Sequence, residues 1–399
     1  MNKSLTKKIR VAFISHSSKM FGSERSLLLL LKNINRNNFE PIVMLQGKGT
    51  LRDEIHRLKI KTYSFKFPWW LKEKIDIFRI FYYSILEILA VIRLYFIVKK
   101  EKVDVIYTNT LTIFSGSILS FFTKIPNIWH IREVVSKKRS LNFLYLPLTL
   151  LFKLVYWLAD KIIVNSRYTG SQFPKMDSCE KIRVIYNSLS TREYQNIERK
   201  NSLSPNWNIC VIGALHKGKA QDDAILAVDK ARIDIPNIKL LIVGTGTLKY
   251  ERYLKMLVNK LKLNENIEFM GYRNDIPNVL SLCNVLISPA LNEAFGRVAI
   301  EAMASGIPVI GVEEGGISEI IEDSKTGYLV PPKKTDMIAE KLVYLFRHPD
   351  IAEEFGKAGK KVVKEKFSLG RYICGIENII LEVYKLRCRS MTYDSKSNE

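Results

Sequence analysis

Short runs of β-branched and aromatic residues alternate with helical stretches along the whole chain, and no other feature limits its fold as strongly. In the first half the runs are IRVAFIS, PIVML, KTYSF, VDVIYTN, NIWHI, KIIVNS and RVIYN; in the second they are ICVIG, KLLIVG, IEFMG, VLISPA and PVIGV. Continuous apolar runs with helices between them are the βαβ rhythm of a parallel sheet covered on both faces. Such sheets bind ligands beyond the carboxyl ends of their strands, where loops meet helix N-termini. Between Asn187 and Trp207 the rhythm lapses into the polar stretch SLSTREYQNIERKNSLSPN, which reads as an interdomain linker. The expectation is an α/β chain with two similar α/β domains, at residues 1–188 and 207–368, joined by a linker at 189–206. A last helical pattern, LGRYICGIENIILEVYKL, places a helix at 369–390 that can pack on either domain, with a tail at 391–399.

The 399 residues are 47% apolar and 26% charged, enough to bury two cores and too apolar for a disordered chain. Charge is divided unevenly. Residues 1–200 carry 35 basic and 15 acidic side chains, residues 201–399 carry 27 and 25. Almost the whole excess of +22 therefore lies in the first half, which points to an anionic surface or ligand there, either lipid headgroups or nucleic acid. Five cysteines (Cys179, Cys210, Cys283, Cys374, Cys388) with no C-x-x-C pair argue against a disulfide framework or a cysteine zinc site, and fit a reducing compartment. The start MNKSLTKKIRVAFIS has too short an apolar core for a signal peptide.

Two stretches of the first half are unusually apolar. Over residues 72–100, Lys72, Arg79, Arg93 and Lys100 fall at multiples of seven, with Leu86 at the missing position. That spacing makes one narrow basic stripe beside a wide apolar remainder. Glu87 and Arg93 argue against spanning a bilayer, at about 2.5 to 3.5 kcal/mol each near a helix centre, whereas lying flat among headgroups is allowed. Residues 141–152, LNFLYLPLTLLF, are uncharged but too short to span and are interrupted by Pro147. The segment KFPWWLK sets two tryptophans between lysines, a composition suited to a membrane interface. Both helices can instead simply pack on the sheet. Taken together with the basic half, they favour peripheral contact with an anionic membrane.

The stretch with most chemistry is residues 285–316, VLISPALNEAFGRVAIEAMASGIPVIGVEEGG: a strand, a loop with Glu293, Phe295 and Gly296, then a helix ending at Ser305 and Gly306. Backbone N–H groups of Gly296, Arg297 and Val298 at that helix start suit a pyrophosphate, through hydrogen bonds and the helix dipole. Glycine permits close approach. Glu301, one turn in, can accept hydrogen bonds from vicinal ribose hydroxyls, and Glu293 can do so for a second polyol beyond the phosphates. Two acceptors flanking an anion site describe a nucleotide sugar, although a first-turn acid also improves the dipole of any helix.

The E-x7-E spacing of Glu293 and Glu301 inside NEAFGRVAIEAMASGIPVIG resembles the signature of the retaining family-four (group 1) glycosyltransferases. Matching segments run in order along about 320 residues: FGSERSLLLLL, WHIRE, VNSRYTGSQF, RVIYNSL, IGALHKGKAQDDAILA, LLIVGTGTL, FMGYRNDIPNVL and EEGGISEIIEDSKTGYLV. The resemblance implies the GT-B fold, two Rossmann-like domains facing a central cleft, with the C-terminal helix free to cross back to the N-terminal domain. It also implies roles. Lys219, with Lys217 two positions earlier as the alternative, matches the family's phosphate-binding lysine. Gly22 matches a glycine of the loop after the first strand, although Phe21 stands where relatives often have a second glycine. His130 in WHIRE matches a histidine close to the transferred sugar, and His130 and Glu293 are its catalytic candidates. Many relatives carry an arginine after the strand glycine, but here Gly213 is followed by Ala214, and His216 or Arg297 is available as the substitute. Tyr272 to Asp275 fall near the base by analogy.

The expected function is a retaining, metal-independent hexosyltransferase. Its donor-binding residues are Gly22, Lys219, Phe295, Gly296, Arg297, Val298 and Glu301. It uses no cofactor, a UDP- or GDP-linked sugar as substrate, and a lipid-linked saccharide acceptor of polysaccharide or glycolipid biosynthesis, at the inner face of the plasma membrane. No D-x-D motif occurs, so lysine and helix amides would meet the leaving-group charge. Two alternatives stay open: a nucleotide-sugar epimerase of the same fold, and a basic nucleic-acid-binding protein, against which the lack of RNP, KH or zinc-finger patterns counts.

Overall fold

The computed structural model describes residues 7–72, 77–135, 142–143, 147–173, 180–190, 192–195 and 204–396. The chain divides into two compact units, one of Met1–Asn187 with Gly370–Glu399, the other of Ser188–Leu369.

In the first unit the strands are β1 (Ile9–Ser15), β2 (Phe39–Leu45), β3 (Lys61–Ser64), β4 (Leu71–Lys72), β5 (Val105–Thr108), β6 (Asn127–Ile131), β7 (Asn142–Phe143), β8 (Lys161–Val164) and β9 (Ile182–Val184). Seven of them form one parallel sheet in the order β3-β2-β1-β5-β6-β8-β9, and β4 pairs antiparallel with β7. The central strands β1, β5, β6 and β8 are almost wholly buried. Helices on both sides cover them, so their runs read as continuously apolar rather than alternating. The strand order turns between β1 and β5, and Asn109 N–H, just past β5, donates to Ile14 O at 2.9 Å.

The helix expected at 72–100 is Ile77–Lys100; Lys72 precedes it, and 73–76 lie outside the described residues. It is long and apolar enough to cross a membrane by length and composition. One of its faces, however, belongs to the core of this unit: Ala90, Leu94 and Val98 pack with Ala12, Ile14, Ile42 and Ile106 of the sheet. Moving the helix off that face would expose these core residues. Glu87, counted in the sequence as a cost against spanning a bilayer, is turned inward, where its Oε2 accepts Trp70 Nε1–H at 2.7 Å. The second apolar stretch contributes the helix Leu148–Leu158, capped by Pro147; residues 141 and 144–146 of that stretch lie outside the described residues.

In the second unit β10 (Trp207–Ile212), β11 (Ile238–Val243), β12 (Ile267–Gly271), β13 (Val285–Ser288), β14 (Val309–Val312) and β15 (Gly327–Val330) form a parallel sheet in the order β12-β11-β10-β13-β14-β15. This is the doubly wound order, with its switch point between β10 and β13. Ile209 stands opposite Val285 and Cys210 opposite Leu286, so the loops leaving these two strands start side by side. The strand β15 escapes a reading by hydropathy because GYLV is short and opens on glycine.

The expected linker is partly structured. Leu189 and Tyr194 are buried, and Arg192–Gln195 is a helical turn, because this polar stretch carries two apolar anchors. Residues 191 and 196–203 lie outside the described residues. The final helix runs Leu369–Lys396, six residues beyond the expected end at 390, and only 397–399 of the expected tail lie outside the described residues. It packs on the first unit. There Glu377 Oε1 accepts Asn35 N–H at 2.7 Å, Glu382 pairs with Lys161 at 2.6 Å, and Arg387 donates to Asp104 O at 3.0 Å. Cys210, Cys283, Cys374 and Cys388 are free thiols; Cys179 lies outside the described residues.

Candidate active site

The switch point of the second sheet gathers most of the expected donor residues. After β10 the chain makes a 3₁₀ turn, Lys217–Lys219, capped by His216, whose Nδ1 accepts Gly218 N–H at 3.1 Å. After β13 the loop returns across it, and Leu291 N–H donates to Gly218 O at 3.0 Å. With the two loops tied, Lys219 Nζ forms an ion pair with Glu293 Oε2, both side chains retaining some exposure. Lys217 is exposed, and the contact with Glu293 places Lys219, not Lys217, at the loop crossing. Glu293 is held from its other side as well: its carbonyl accepts Gly316 N–H at 2.7 Å, and it bridges to Gly315.

The helix expected after this loop is Arg297–Ala304. Its N-cap is Gly296 at φ +100°, a left-handed conformation that favours glycine, and no side chain caps that end. Two sequence expectations are refined here. The Phe295 side chain is 2% exposed and packs edge-on against Phe367, so this residue has only its backbone to offer a ligand. Glu301 is buried and accepts Arg297 Nε–H at 2.9 Å, so the carboxylate expected to stand ready for a ribose is already charge-paired. That pairing and the local bond of His216 occupy both side chains considered as substitutes for the arginine missing at Ala214. Past β12, the Arg273 guanidinium grips Asp275 at 2.8 and 2.6 Å and holds its carboxyl at about 2.

Residues of the first unit form a separate buried network. His130, within β6, is fully buried, and its Nδ1 lies against the Tyr107 hydroxyl and 3.2 Å from Arg132 Nη2. A guanidinium can only donate, so Nδ1 is the acceptor and the neutral ring carries its proton on Nε2. That Nε2 is buried with no hydrogen-bond partner among the described residues. Burial first, and the Arg132 charge second, push the His130 pKa well below its ordinary value. Arg132 also reaches Asn109 Oδ1 at 3.1 Å, Asn187 Oδ1 and the Tyr372 hydroxyl at 2.9 Å, the last from the C-terminal helix. Tyr372 O–H in turn donates to Ser26 O at 3.1 Å.

Gly22 opens the helix Gly22–Asn33, with open space where a Cβ would stand. The fold itself therefore does not require glycine there. Beside it stands a group the sequence reading passed over. Glu24 is fully buried, 3.5 Å from His16 Nδ1 and 2.8 Å from the Ser23 hydroxyl that donates to it. Burial pushes its carboxyl up, and His16 opposes that shift. Its only signal in the sequence is an acid in the first turn of a helix that follows β1. Among the described residues no three His, Cys, Asp or Glu side chains are grouped to hold a metal ion.

A doubly wound parallel sheet whose switch point joins a lysine, a glutamate and a glycine-capped helix start defines a Rossmann-like domain, and the GT-B fold has two such domains in one chain. Among solved structures, HepE of Anabaena, determined with UDP and with UDP-glucose, superposes with a TM-score of 0.78 for the UDP form at 21% identity, over 94% of this chain and 100% of that one. Residues 21–193 match the family model described as Glycosyltransferase Family 4, and residues 193–362 the one described as Glycosyl transferases group 1. The chain belongs to the family-four, group 1 glycosyltransferases.

Among curated relatives, N-acetyl-alpha-D-glucosaminyl L-malate synthase of Bacillus anthracis is 27% identical over 210 residues, 51% of this chain and 54% of that protein. An uncharacterized glycosyltransferase of Methanocaldococcus jannaschii is 28% identical over 294 residues, 72% of this chain and 78% of that protein. The chain thus spans about half the length of the first of these relatives.

Proposed function

We propose that this glycosyltransferase is a retaining hexosyltransferase that takes its sugar from a nucleoside diphosphate held by the second unit. The acceptor, held by the first unit, is a lipid-linked saccharide of polysaccharide or glycolipid synthesis at the inner face of the plasma membrane. The observation that carries the donor reading is the convergence of Lys219, Glu293 and the Gly296 helix start at one switch point. A diphosphate there meets an ammonium and a positive helix end together. Lys219 and the amides of Gly296 and Val298 would take up the leaving-group charge without a resident cofactor. Glu301, oriented by Arg297, would hold the ribose hydroxyls. Glu293 would organise the oxocarbenium-like transition state through hydrogen bonds to the sugar, whereas His130, fully buried here, would act through its neighbours Tyr107 and Arg132. HepE, a relative in fold, is solved with UDP and with UDP-glucose, which supports trying uridine donors first. The exposed apolar face of Ile77–Lys100 and the basic first half support the membrane reading.

The test is thermal unfolding with a panel of UDP, GDP and their hexose esters. One nucleotide should raise Tm, and Glu301→Ala should abolish that rise; undiminished protection in the variant refutes the donor site. Product analysis with and without a saccharide acceptor then separates transfer from epimerisation. Flotation with anionic liposomes that weakens at high salt supports the membrane reading, and its absence at low salt overturns it.

A further inference from the structure

The helix Ile77–Lys100 is apolar on two opposite sides. Tyr83, Ala90, Leu94 and Val98 face the protein, while Phe78, Phe81, Ile85, Ile88, Ile92 and Phe96 face outward, with Phe78 84% and Phe96 66% exposed. Beside that outer face, between this helix and the helix Ser115–Thr123, lies a cavity of about 660 Å³. Ile88, Val91, Ile92 and Phe96 make one wall, Ile118 and Phe122 the other, and Trp70 lines it as well. Its size is that of a small-molecule site, but its lining is nearly all carbon. Ser84 and Glu87 reach it, and of these Glu87 keeps its Oε1 buried without a hydrogen-bond partner among the described residues, with burial pushing that carboxyl up toward its neutral form. Ser84 donates to Ile80 O at 3.0 Å, and Glu87 accepts from Trp70 at 2.7 Å. Such a lining offers little to a sugar or a nucleotide and much to a hydrocarbon chain.

Basic side chains flank its aromatic lining. Arg93, Lys99 and Lys100 on the first helix and Lys124 at the end of the second are exposed, with Lys99 and Lys124 over the rings of Tyr95 and Phe121. The only acid on either helix is the inward-turned Glu87. A second copy of this surface would be repelled, whereas an anionic headgroup is matched. We infer that this cavity takes one hydrocarbon chain of an anionic membrane lipid, drawn from the bilayer while the headgroup stays near Lys99 and Lys124. The inference rests on the membrane reading and adds to it a defined, saturable chain site, distinct from adsorption on a greasy face.

Dodecyl phosphate below its micellar concentration is the probe, with full-length protein and binding read by calorimetry. One molecule should bind per chain, affinity should rise about fourfold per methylene added from octyl upward, the fold-change that 0.8 kcal/mol per CH₂ sets, and the neutral dodecyl maltoside should bind more weakly. Val91→Trp, which fills the cavity, should cost at least tenfold in dodecyl phosphate affinity while leaving flotation with phosphatidylglycerol vesicles within about threefold. The second variant, Ile88→Asp, replaces an exposed residue, and it should lose both. Equal dodecyl phosphate binding in all three proteins, or none in the wild type, overturns the chain site, and vesicle flotation that persists in that case leaves the membrane reading standing. A dimer of the wild type in sedimentation, dispersed by Ile88→Asp, overturns the inference in favour of self-association. Loss of both vesicle and amphiphile binding in the wild type removes the membrane reading with it.

Discussion

Lys219 Nζ is ion-paired with Glu293 Oε2, a contact between the loops that leave two neighbouring strands, β10 and β13. The pair closes on itself without a ligand, so a diphosphate competes with a carboxylate for the same ammonium. Charge-assisted hydrogen bonds are worth about 1.5 to 3 kcal/mol. Lys219→Ala should therefore weaken nucleoside-diphosphate binding roughly 10- to 150-fold. Glu293→Gln should keep or tighten that binding, because the lysine is released, while transfer collapses. Calorimetric titration of both variants beside turnover checks this; equal loss of nucleotide affinity in the two would show that the pair, and not the lysine alone, forms the anion site.

Gly315 belongs to the same arrangement. It sits at φ +94°, and a Cβ on it would lie 2.7 Å from the Glu293 carbonyl oxygen and 2.8 Å from the Glu293 nitrogen, backbone atoms that cannot swing aside. With ψ at −168° this is an extended positive-φ conformation that essentially only glycine adopts, and it alone costs another residue about 1 to 3 kcal/mol. Gly315→Ala should thus lower Tm by several degrees, at about 2 to 4 °C per kcal/mol for a unit of this size. It should also depress kcat by displacing Glu293. Thermal unfolding and steady-state kinetics read the two effects, and a variant with wild-type kcat would separate Gly315 from the placement of Glu293.

Much of this was legible because parallel strands buried on both faces leave continuous apolar runs. NIWHI and IEFMG coincide with β6 and β12 to the residue. Glu293, Gly296 and Glu301 could be placed because one strand-loop-helix carries all three. What escaped was set by contacts distant in sequence. The pairing of Lys219 with Glu293 joins residues on two βα units, the grip of Gly315 on Glu293 joins two loops, and the Tyr372–Arg132 bond reaches from the last helix to β6. The outer face of Ile77–Lys100 was visible as apolar, yet its inner face was not distinguishable from it, because hydropathy does not say which of two greasy sides meets the sheet.

His130 is neutral in the folded chain, its pKa pushed well down by burial and by Arg132, whereas in the unfolded chain it titrates near about 6.5. A depressed histidine pKa makes the unfolded state the better proton acceptor below that value. This contribution to stability is therefore complete above about pH 6.5 and is lost as pH falls toward the folded pKa. The loss grows as pH falls below about 6.5. Denaturant unfolding across this fall should show the slope, and His130→Asn should remove that part of it whatever its absolute stability. An unchanged slope would mean that the ring is protonated in the fold.

Tyr372 ties the C-terminal helix to this network: its hydroxyl accepts from Arg132 Nη2 at 2.9 Å and donates to Ser26 O at 3.1 Å, all of it buried. Tyr372→Phe keeps the ring and deletes both bonds, which leaves one arm of a buried guanidinium with only His130 Nδ1 to meet. Removing one partner of a buried charged group costs about 1 to 3 kcal/mol, seen as a fall in the urea midpoint at unchanged m. Because Arg132 helps fix the His130 tautomer, the same variant should lower kcat more than it raises KM for the acceptor. A mutation that loosened only the last helix would lower stability and leave that ratio alone, so the ratio, measured on folded protein below the unfolding transition, decides whether Tyr372 acts through Arg132.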